Sequence, residues 1–203
     1  MIVPLCVTAT ILFCILAVLV STGVTQSFDS AVLLWINQYA NATLDAFFVS
    51  FTQLGGLVFM VVAGLALLAY FLYKKRYSDA LFAAVSLGGV AVVNVILKSI
   101  FERPRPDLWD WLIHETSMSF PSGHATATMA LAMCILILVW RTKWRLAACI
   151  TLFLYVVSIG ISRLYLGVHY PTDILGGWLL GIAWVTFVAW MIRRYGRKAK
   201  VLR

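Results

Sequence analysis

Charged side chains are scarce in this sequence. Only 12% of its 203 residues are Asp, Glu, Lys or Arg, and only 8 of those are acidic. A soluble globular domain carries about 25% charged residues and about 45–50% apolar ones. Here 63% of the residues are hydrophobic and the mean hydropathy is +0.95. The composition therefore excludes a soluble protein and predicts an integral membrane protein with a single domain over residues 1–203.

Metal-ligating residues are also few, and their spacing does not fit a metal site. Each of the 4 cysteines lies inside an apolar run: Cys6, Cys14, Cys134 and Cys149. A free cysteine behaves as a small hydrophobic residue, so we expect these side chains to fill space between helices. Because no His, Cys or carboxylate cluster has ligand spacing, the sequence predicts no metal site.

Long apolar runs, by contrast, are abundant. A helix needs about 20 predominantly apolar residues to cross a bilayer. Six runs approach that length: 4–24, 54–73, 79–100, 121–140, 145–166 and 171–192. They predict an all-α protein, a bundle of six transmembrane helices, because helices satisfy their own backbone polar groups in lipid.

The first run and the segment after it need separate interpretation. The small residues at 21–23 would suit a secretory signal, but the run starts without Lys or Arg and is long for a signal, which favours a retained helix. Between the first two runs, Phe28, Val32, Trp35 and Tyr39 recur at steps of three or four residues. This spacing predicts short helices lying in the membrane interface.

The 16 basic residues are distributed unevenly along the chain. Twelve lie in the loops after the second and fourth runs or beyond the sixth: Lys74, Lys75, Arg76, Arg141, Lys143, Arg145, Arg193, Arg194, Arg197, Lys198, Lys200 and Arg203. Because Lys and Arg are enriched in cytoplasmic loops, both termini are expected in the cytoplasm. The net charge of +8 is thus a signal of topology, and nucleic acid is not an expected partner.

Three polar clusters interrupt this apolar pattern, and the span count places all of them at the extracytoplasmic edge. The first consists of Lys98 and, seven residues later, Arg105 with Pro106. Guanidinium and ammonium groups are usual ligands of phosphate. However, Lys and Arg near helix ends also extend simply to reach lipid headgroups.

The second cluster, Pro121-Ser122-Gly123-His124, opens the fourth run. The first amides of a helix lack intrahelical partners and form a ready site for an anion. Ordinary N-capping would also explain Ser122. It does not explain His124, because an imidazole at the membrane edge is costly unless it is paired or hydrated.

The third cluster consists of Ser162-Arg163 and the segment from His169 to Asp173. Pro171 suits the first position of a helix, which places Asp173 in the first turn, where the helix dipole favours an acid in any case. A functional alternative is that Asp173 accepts a hydrogen bond from one nitrogen of His169. The other nitrogen is then free to attack a substrate, as in hydrolytic sites.

In order and spacing, the three clusters resemble the signature of the type 2 phosphatidic acid phosphatase family. That signature is Lys, six residues, Arg-Pro; then Pro-Ser-Gly-His; then Ser-Arg, five residues, His, three residues, Asp. The chain matches every defined position, over roughly residues 80–180: Lys98, Arg105, Pro106, Pro121, Ser122, Gly123, His124, Ser162, Arg163, His169 and Asp173. The resemblance implies a membrane lipid phosphatase.

The resemblance also implies a role for each residue. His169 would attack phosphorus and form a phosphohistidine, Asp173 would orient it, and His124 would protonate the leaving alkoxide and later activate water. The phosphate oxygens would be held by five donors: Lys98, Arg105, Ser122, the Gly123 amide and Arg163. This scheme uses no metal and no cofactor.

The signature recognises phosphate and leaves the lipid undefined. Phosphatidylglycerophosphate at the outer leaflet is the expected substrate, undecaprenyl pyrophosphate is the alternative, and phosphatidate is third. An anion transporter is the alternative from another class, but a transporter usually places ionisable groups near the midplane and repeats half of its structure. The expected partners are the lipid substrate and the bilayer, with no obligate protein partner.

Residues near the clusters are given simpler interpretations. Arg103, outside the signature, is expected to contact a lipid headgroup. Gly177 and Gly181 have the spacing typical of close helix packing. An interfacial anchor is expected of five residues in the long outer loop: Trp109, Asp110, Trp111, His114 and Glu115.

Overall fold

The computed structural model describes the backbone of residues 2–201 and the side chains of residues 2–195, and over this part of the chain all regular structure is helical. The α-helices are α1 (Ile2–Ser21), α2 (Gln26–Asn37), α3 (Ala42–Phe51), α4 (Leu57–Tyr73), α5 (Tyr77–Phe101), α6 (Gly123–Val139), α7 (Arg145–Tyr165) and α8 (Pro171–Val201). A 3-10 turn at Thr52–Gly55 joins α3 to α4. The predicted all-α class is confirmed. The basic side chains from Arg197 onwards, which entered the topology prediction, lie outside the described residues.

Each of the six predicted runs coincides with a helix. Five segments are long and apolar enough to cross a membrane: Ile2–Ser21, Ala42–Tyr73, Tyr77–Phe101, Arg145–Tyr165 and Pro171–Tyr195. The remaining helix, α6, is apolar but has only 17 residues. The chain is thus an α-helical membrane protein with several spans, and the six-span topology stays a prediction.

Helices α6 and α8 pack closely, and two glycines of α8 make this possible. A Cβ atom at Gly177 would lie 2.8 Å from the carbonyl oxygen of Ser122, and one at Gly181 would lie 3.0 Å from Cβ of Met129. Both distances are too short for a larger side chain, so the close packing predicted for these glycines is confirmed. The contact fixes the beginning of α8 against the beginning of α6, where two of the clusters lie.

A buried amide ties α5 to the beginning of α6. Asn94 Nδ2 donates to the carbonyl oxygen of Pro121 at 3.2 Å and to Oγ1 of Thr126 at 3.1 Å. A polar side chain inside an apolar bundle is costly unless its hydrogen bonds are made. These two bonds therefore hold the Pro121–His124 segment in place relative to Lys98, one turn further along α5.

The segment between α1 and α4 has one buried and one exposed face. Phe28, Trp35 and Tyr39 are each more than half exposed, whereas Asp29 and Leu33 are fully buried. The three exposed aromatic residues belong to the periodic set from which interfacial helices were predicted. Two helices, α2 and α3, are present in this segment. Their location in the membrane interface stays a prediction.

Candidate active site

The three clusters meet at one end of the bundle, although they lie far apart in sequence. Arg105 Nη1 lies 3.2 Å from His169 Nε2. Ser117 Oγ lies 3.4 Å from Lys98 Nζ and 3.2 Å from Arg105 Nη2. The backbone amide of Ser122 donates to the carbonyl oxygen of Asp173 at 3.1 Å. The common site predicted from span count and charge is therefore formed.

His169 and Asp173 form a buried pair at the beginning of α8. His169 is 1% exposed and Asp173 is fully buried. The Nδ1 atom of His169 lies 3.3 Å from Asp173 Oδ2, and the backbone amide of Tyr170 donates to the same oxygen at 2.9 Å. Since a carboxylate only accepts hydrogen bonds, Nδ1 carries the proton and Nε2 carries the lone pair.

The free nitrogen of His169 faces cations. Burial, followed by the positive charges of Arg105, Arg163 and Lys98, lowers the pKa of His169 well below its ordinary value. The imidazole is therefore neutral near pH 7. A neutral imidazole that is held by a carboxylate on one side and points its lone pair at cations on the other is suited to attack an electrophile bound by those cations.

The two arginines of the signature are held in fixed positions. Arg105 donates to the carbonyl oxygens of Ser117 and Val168, each at 2.7 Å. Arg163 is 1% exposed and donates to Thr52 Oγ1 at 3.1 Å. Its Nε is buried and has no hydrogen-bond partner among the described residues. A buried N–H that lacks a partner calls for an acceptor, and a phosphate oxygen would supply one.

Glu115 lies between these two arginines, so the expectation that it anchors the loop in the interface is wrong. Its carboxylate accepts from Arg105 Nη2 at 3.2 Å and from Arg163 Nη2. Burial lowers the pKa of Arg105 and the charge of Glu115 opposes that shift, but a guanidinium remains protonated in proteins. Two buried cations need an anion, and the outer loop provides this carboxylate. A carboxylate at this position marks where a phosphate would bind.

The loop tryptophans also contact the protein. Trp111 Nε1 donates to the carbonyl oxygen of Pro106 at 2.7 Å. A Cβ atom at Gly167 would lie 2.6 Å from Trp109 Nε1, and Gly167 has a φ of +72°, which favours glycine. Trp111 also packs against the buried cluster of Tyr165, Leu166 and Val168, so both rings hold the outer loop against the turn that carries His169.

Arg103 also differs from its prediction. It is only 8% exposed, and its guanidinium donates to Asp173 Oδ1 at 2.6 Å and to Asp29 Oδ2 at 2.8 Å. Contact with a lipid headgroup was therefore the wrong expectation. The sequence reading failed because nothing near Arg103 in the chain indicates that two distant carboxylates are buried beside it.

The beginning of α6 shows the first of the two functions considered for Ser122, that of a helix N-cap. Ser122 is the N-cap residue, and its Oγ accepts from the amide of Ala125 at 3.4 Å. Its own amide donates to the carbonyl oxygen of Asp173 at 3.1 Å. N-capping by Ser122 is thus confirmed, while its donation to phosphate stays a prediction, as does that of the Gly123 amide.

Ser119 is a site residue that sequence reasoning missed. It is fully buried, and its Oγ donates to Asp173 Oδ2. Ser119 Oγ also lies 3.3 Å from His169 Nδ1. A single serine in a polar loop carries no spacing signal. Asp29 was also missed. The sequence held one weak signal of its burial: it lies one helical turn before the apolar Leu33, on the same face of α2.

An apolar cavity of about 500 Å³ opens beside the site, between α4, α5 and the beginning of α6. Its polar lining is confined to Asn94, His124 and Thr126, and most of its remaining lining is aliphatic or glycine. Gly88 borders it, and a Cβ atom there would meet nothing within 4 Å. The cavity has the volume and lining of a site for a hydrocarbon chain, and it reaches His124.

The Cys, His and acidic side chains do not cluster as metal ligands. Across the described residues, no group of three or more His, Cys, Asp or Glu lies close enough together to hold a metal ion.

Comparison with known proteins gives matches over most of the chain. A family model described as the PAP2 superfamily matches residues 79–197. Phosphatidylglycerophosphatase B of Bacillus subtilis (strain 168) is 32% identical over 200 residues, 94% of each chain. Undecaprenyl-diphosphatase BcrC of the same organism is 28% identical over 70% of this chain and 72% of its own. The crystal structure of a transmembrane PAP2 type phosphatidylglycerolphosphate phosphatase from Bacillus subtilis superposes with a TM-score of 0.79, at 32% identity and over 98% of both chains.

Proposed function

This chain belongs to the PAP2 superfamily and is a membrane lipid phosphatase, and we propose that it hydrolyses phosphatidylglycerophosphate at the outer leaflet through a phosphohistidine. The observation that carries the mechanism is the buried, neutral His169, whose free Nε2 faces Arg105 at 3.2 Å. The 32% identity to phosphatidylglycerophosphatase B, over nearly the whole of both chains, supports this choice of lipid.

The first chemical step transfers the phosphoryl group to His169. The lone pair on Nε2 attacks phosphorus, and the ester P–O bond breaks on the opposite side. His124, which the negative charge of the bound phosphate keeps protonated, donates a proton to the departing lipid alkoxide and becomes neutral. The Nδ1 proton stays on the ring and faces Asp173, so the phosphorylated imidazole carries a positive charge beside a carboxylate.

The second step returns the enzyme to its starting state. Neutral His124 removes a proton from water, and the resulting hydroxide attacks the phosphorus of the phosphohistidine. The P–N bond breaks, its electrons return to Nε2, and inorganic phosphate leaves. Both steps use the same two imidazoles, with His124 acting first as an acid and then as a base.

Cationic side chains stabilise the charge that develops on phosphorus in both steps. The phosphate displaces Glu115 from between Arg105 and Arg163, and a non-bridging oxygen accepts from the buried Nε of Arg163. Lys98, Ser122 and the Gly123 amide complete the set of donors. Loss of one such donor typically costs about 10²–10³ in rate.

The apolar cavity accommodates the lipid tail. Its volume of about 500 Å³ and its largely aliphatic lining fit a hydrocarbon chain. Because His124 is part of that lining, a tail bound there would bring the leaving alkoxide close to this imidazole. This arrangement explains how a site built for phosphate prefers phosphate carried by a lipid.

Filling the cavity should separate recognition of the lipid from recognition of phosphate. We expect Gly88→Leu to lower kcat/KM for a long-chain lipid phosphate about 10-fold or more, because losing burial of a few methylenes costs about 0.8 kcal/mol for each one. Turnover of a water-soluble phosphate monoester should change less than twofold. Steady-state kinetics in detergent with both substrates measures this difference.

Val92→Leu is the matched control, since Val92 lies on the same helix, is 60% exposed and does not line the cavity. An equal loss for both substrates in Gly88→Leu, or an equal loss in Val92→Leu, would contradict the assignment of the cavity to the tail.

The substrate itself is tested by a panel of lipid phosphates. Purified protein in detergent with EDTA should release phosphate from phosphatidylglycerophosphate with the highest kcat/KM, ahead of undecaprenyl pyrophosphate and phosphatidate. A higher value for undecaprenyl pyrophosphate would favour the second candidate, which the similarity to BcrC supports. Absence of release from every lipid would reject the phosphatase and favour the anion transporter, and a strict need for a divalent cation would contradict the metal-free mechanism.

The side of the membrane is proposed from charge. With six spans, the loops rich in Lys and Arg face the cytoplasm together with both termini, and the site opens on the extracytoplasmic side. A single cysteine placed in the 102–122 loop should therefore react with a membrane-impermeant reagent in whole cells. A single cysteine placed in the 140–144 loop should react with it only after lysis.

A further inference from the structure

A second buried carboxylate lies behind the pair formed by His169 and Asp173. Asp29, in α2, is fully buried and accepts from Arg103 Nη2 at 2.8 Å. The other terminal nitrogen of Arg103 donates to Asp173 at 2.6 Å. One guanidinium, itself only 8% exposed, therefore joins two buried carboxylates. Neither Asp29 nor Arg103 belongs to the family signature.

Asp29 also contacts the residue that precedes Asp173. The backbone amide of Thr172 donates to Asp29 Oδ1 at 3.1 Å, and its hydroxyl donates to Oδ2 at 2.6 Å. Asp29 thus caps the first turn of α8 from another helix, where amides lack intrahelical partners. Any neutral oxygen could accept from these donors, so capping alone does not explain a buried carboxylate.

The negative charge of Asp29 affects the total charge of the group that it forms with Arg103 and Asp173, called the acid–arginine cluster below. Asp29, Arg103 and Asp173 together carry a net charge of −1. Without Asp29, the guanidinium of Arg103 would neutralise Asp173 alone, and the net charge behind His169 would be zero. Charges interact more strongly in a buried site than in water, so this difference bears directly on His169.

We propose that Asp29 and Arg103 are positioning residues for the reaction at His169, with Asp29 balancing the charge of Arg103 so that a net negative charge remains behind His169. This inference rests on the proposed phosphohistidine mechanism. As the P–N bond forms and the ester bond breaks, the imidazole becomes positively charged while Nδ1 keeps its proton. A net negative charge behind Nδ1 stabilises that cation, and the hydrogen bonds of Arg103 fix the carboxylate that faces it.

The geometry supports positioning as well as charge. The guanidinium carbon of Arg103 lies 4.2 Å from the centre of the Tyr170 ring, and Gln26 Nε2 donates to the hydroxyl of that ring at 3.2 Å. Gln26 lies one turn before Asp29 in α2. Helix α2 therefore holds both the arginine and the turn between His169 and Asp173.

Asp29→Asn is the direct test, because asparagine removes the charge and keeps an acceptor for the Thr172 amide, although its nitrogen then faces Arg103 in place of Oδ2. We expect kcat for the lipid phosphate to fall about 10- to 100-fold, the size typical of losing one buried charge near a reacting group. KM should change less than twofold, because Asp29 does not touch the phosphate site. Thermal unfolding in detergent should confirm that the variant is folded.

The matched control is Asp45→Asn, which also removes a carboxylate charge from the segment before α4. Asp45 accepts from the Tyr165 hydroxyl at 2.6 Å and makes no contact with the acid–arginine cluster. Its kcat should stay within twofold of that of the native chain. An unchanged kcat in Asp29→Asn, a loss confined to KM, or an equal loss in Asp45→Asn would overturn the inference.

A double variant covers the case in which Asp29→Asn does not fold. Asp29→Asn with Arg103→Gln leaves Asp173 as the only charge, so the acid–arginine cluster keeps its net −1 and the kcat of the double variant should lie within about 10-fold of native. A loss as severe as that of a nucleophile variant would overturn the charge argument. Failure of the native chain to release phosphate would instead reject the proposed function, which separates the two hypotheses.

Discussion

His169→Ala should abolish phosphate release, with kcat at least about 10⁴-fold lower. The proposed nucleophile is the Nε2 atom, and alanine offers no other group that can form the phosphorylated intermediate. Lys98, Arg105 and Arg163 would still be present, so binding of vanadate or inorganic phosphate to the variant should persist. Release of phosphate from a lipid substrate, measured with purified protein in detergent, checks the first expectation.

His114→Ala is the matched control for this variant. His114 lies exposed in the outer loop, so its removal deletes an imidazole without touching the buried site. Its kcat should remain within twofold of native. Residual turnover in His169→Ala above about 1% of native would remove His169 from the role of nucleophile, provided that the protein elutes as a folded species.

Asp173→Asn is expected to lower kcat by about 10³–10⁴, the size seen when the orienting acid of a catalytic histidine is replaced by its amide. In the native chain, Oδ2 accepts from His169 Nδ1, Ser119 Oγ and the Tyr170 amide. An amide nitrogen at that position would face the N–H groups of His169 and Tyr170, and only the Ser119 hydroxyl could turn to accept from it. If the side chain rotates, its nitrogen faces Arg103 instead, which is also a donor.

The rotated orientation keeps an acceptor for Nδ1, but it sets the amide nitrogen against Arg103 and removes the negative charge beside the imidazole. The unrotated orientation disfavours the tautomer with the proton on Nδ1. The proton then moves to Nε2, and the lone pair needed for attack is lost. Asp110→Asn, in the exposed part of the outer loop, removes a charge without this effect and should leave kcat unchanged. Measurement of kcat and KM in both variants checks the argument, and a fall in Asp173→Asn that appears only in KM would contradict it.

Much of the site could be predicted because its residues have fixed local positions. Pro171 begins α8 as its rigid φ favours, and this puts Asp173 one turn from His169, as the spacing indicated. Ser122 caps α6 for the same kind of local reason. The apolar runs located the helices, since burial in lipid depends on composition more than on detailed packing.

The rest could not be predicted because it depends on pairing between distant segments. Arg103 and Asp29 come from different helix ends, and no local pattern couples them. Glu115 looked like an ordinary charged residue of an outer loop beside two tryptophans. Its contact with Arg105 and Arg163 arises because the folded site buries two cations that then require an anion, a property of the assembled bundle.

The position of Glu115 has a consequence for selectivity. In the proposed mechanism, an anion that enters the site displaces this internal carboxylate, and the free energy of that exchange is subtracted from its affinity. A bare phosphate ion from the medium gains nothing elsewhere to offset the loss. A lipid recovers it through the contacts of its hydrocarbon chain. We therefore expect Glu115 to weaken the binding of dissolved phosphate relative to that of a phosphate ester carried by a lipid.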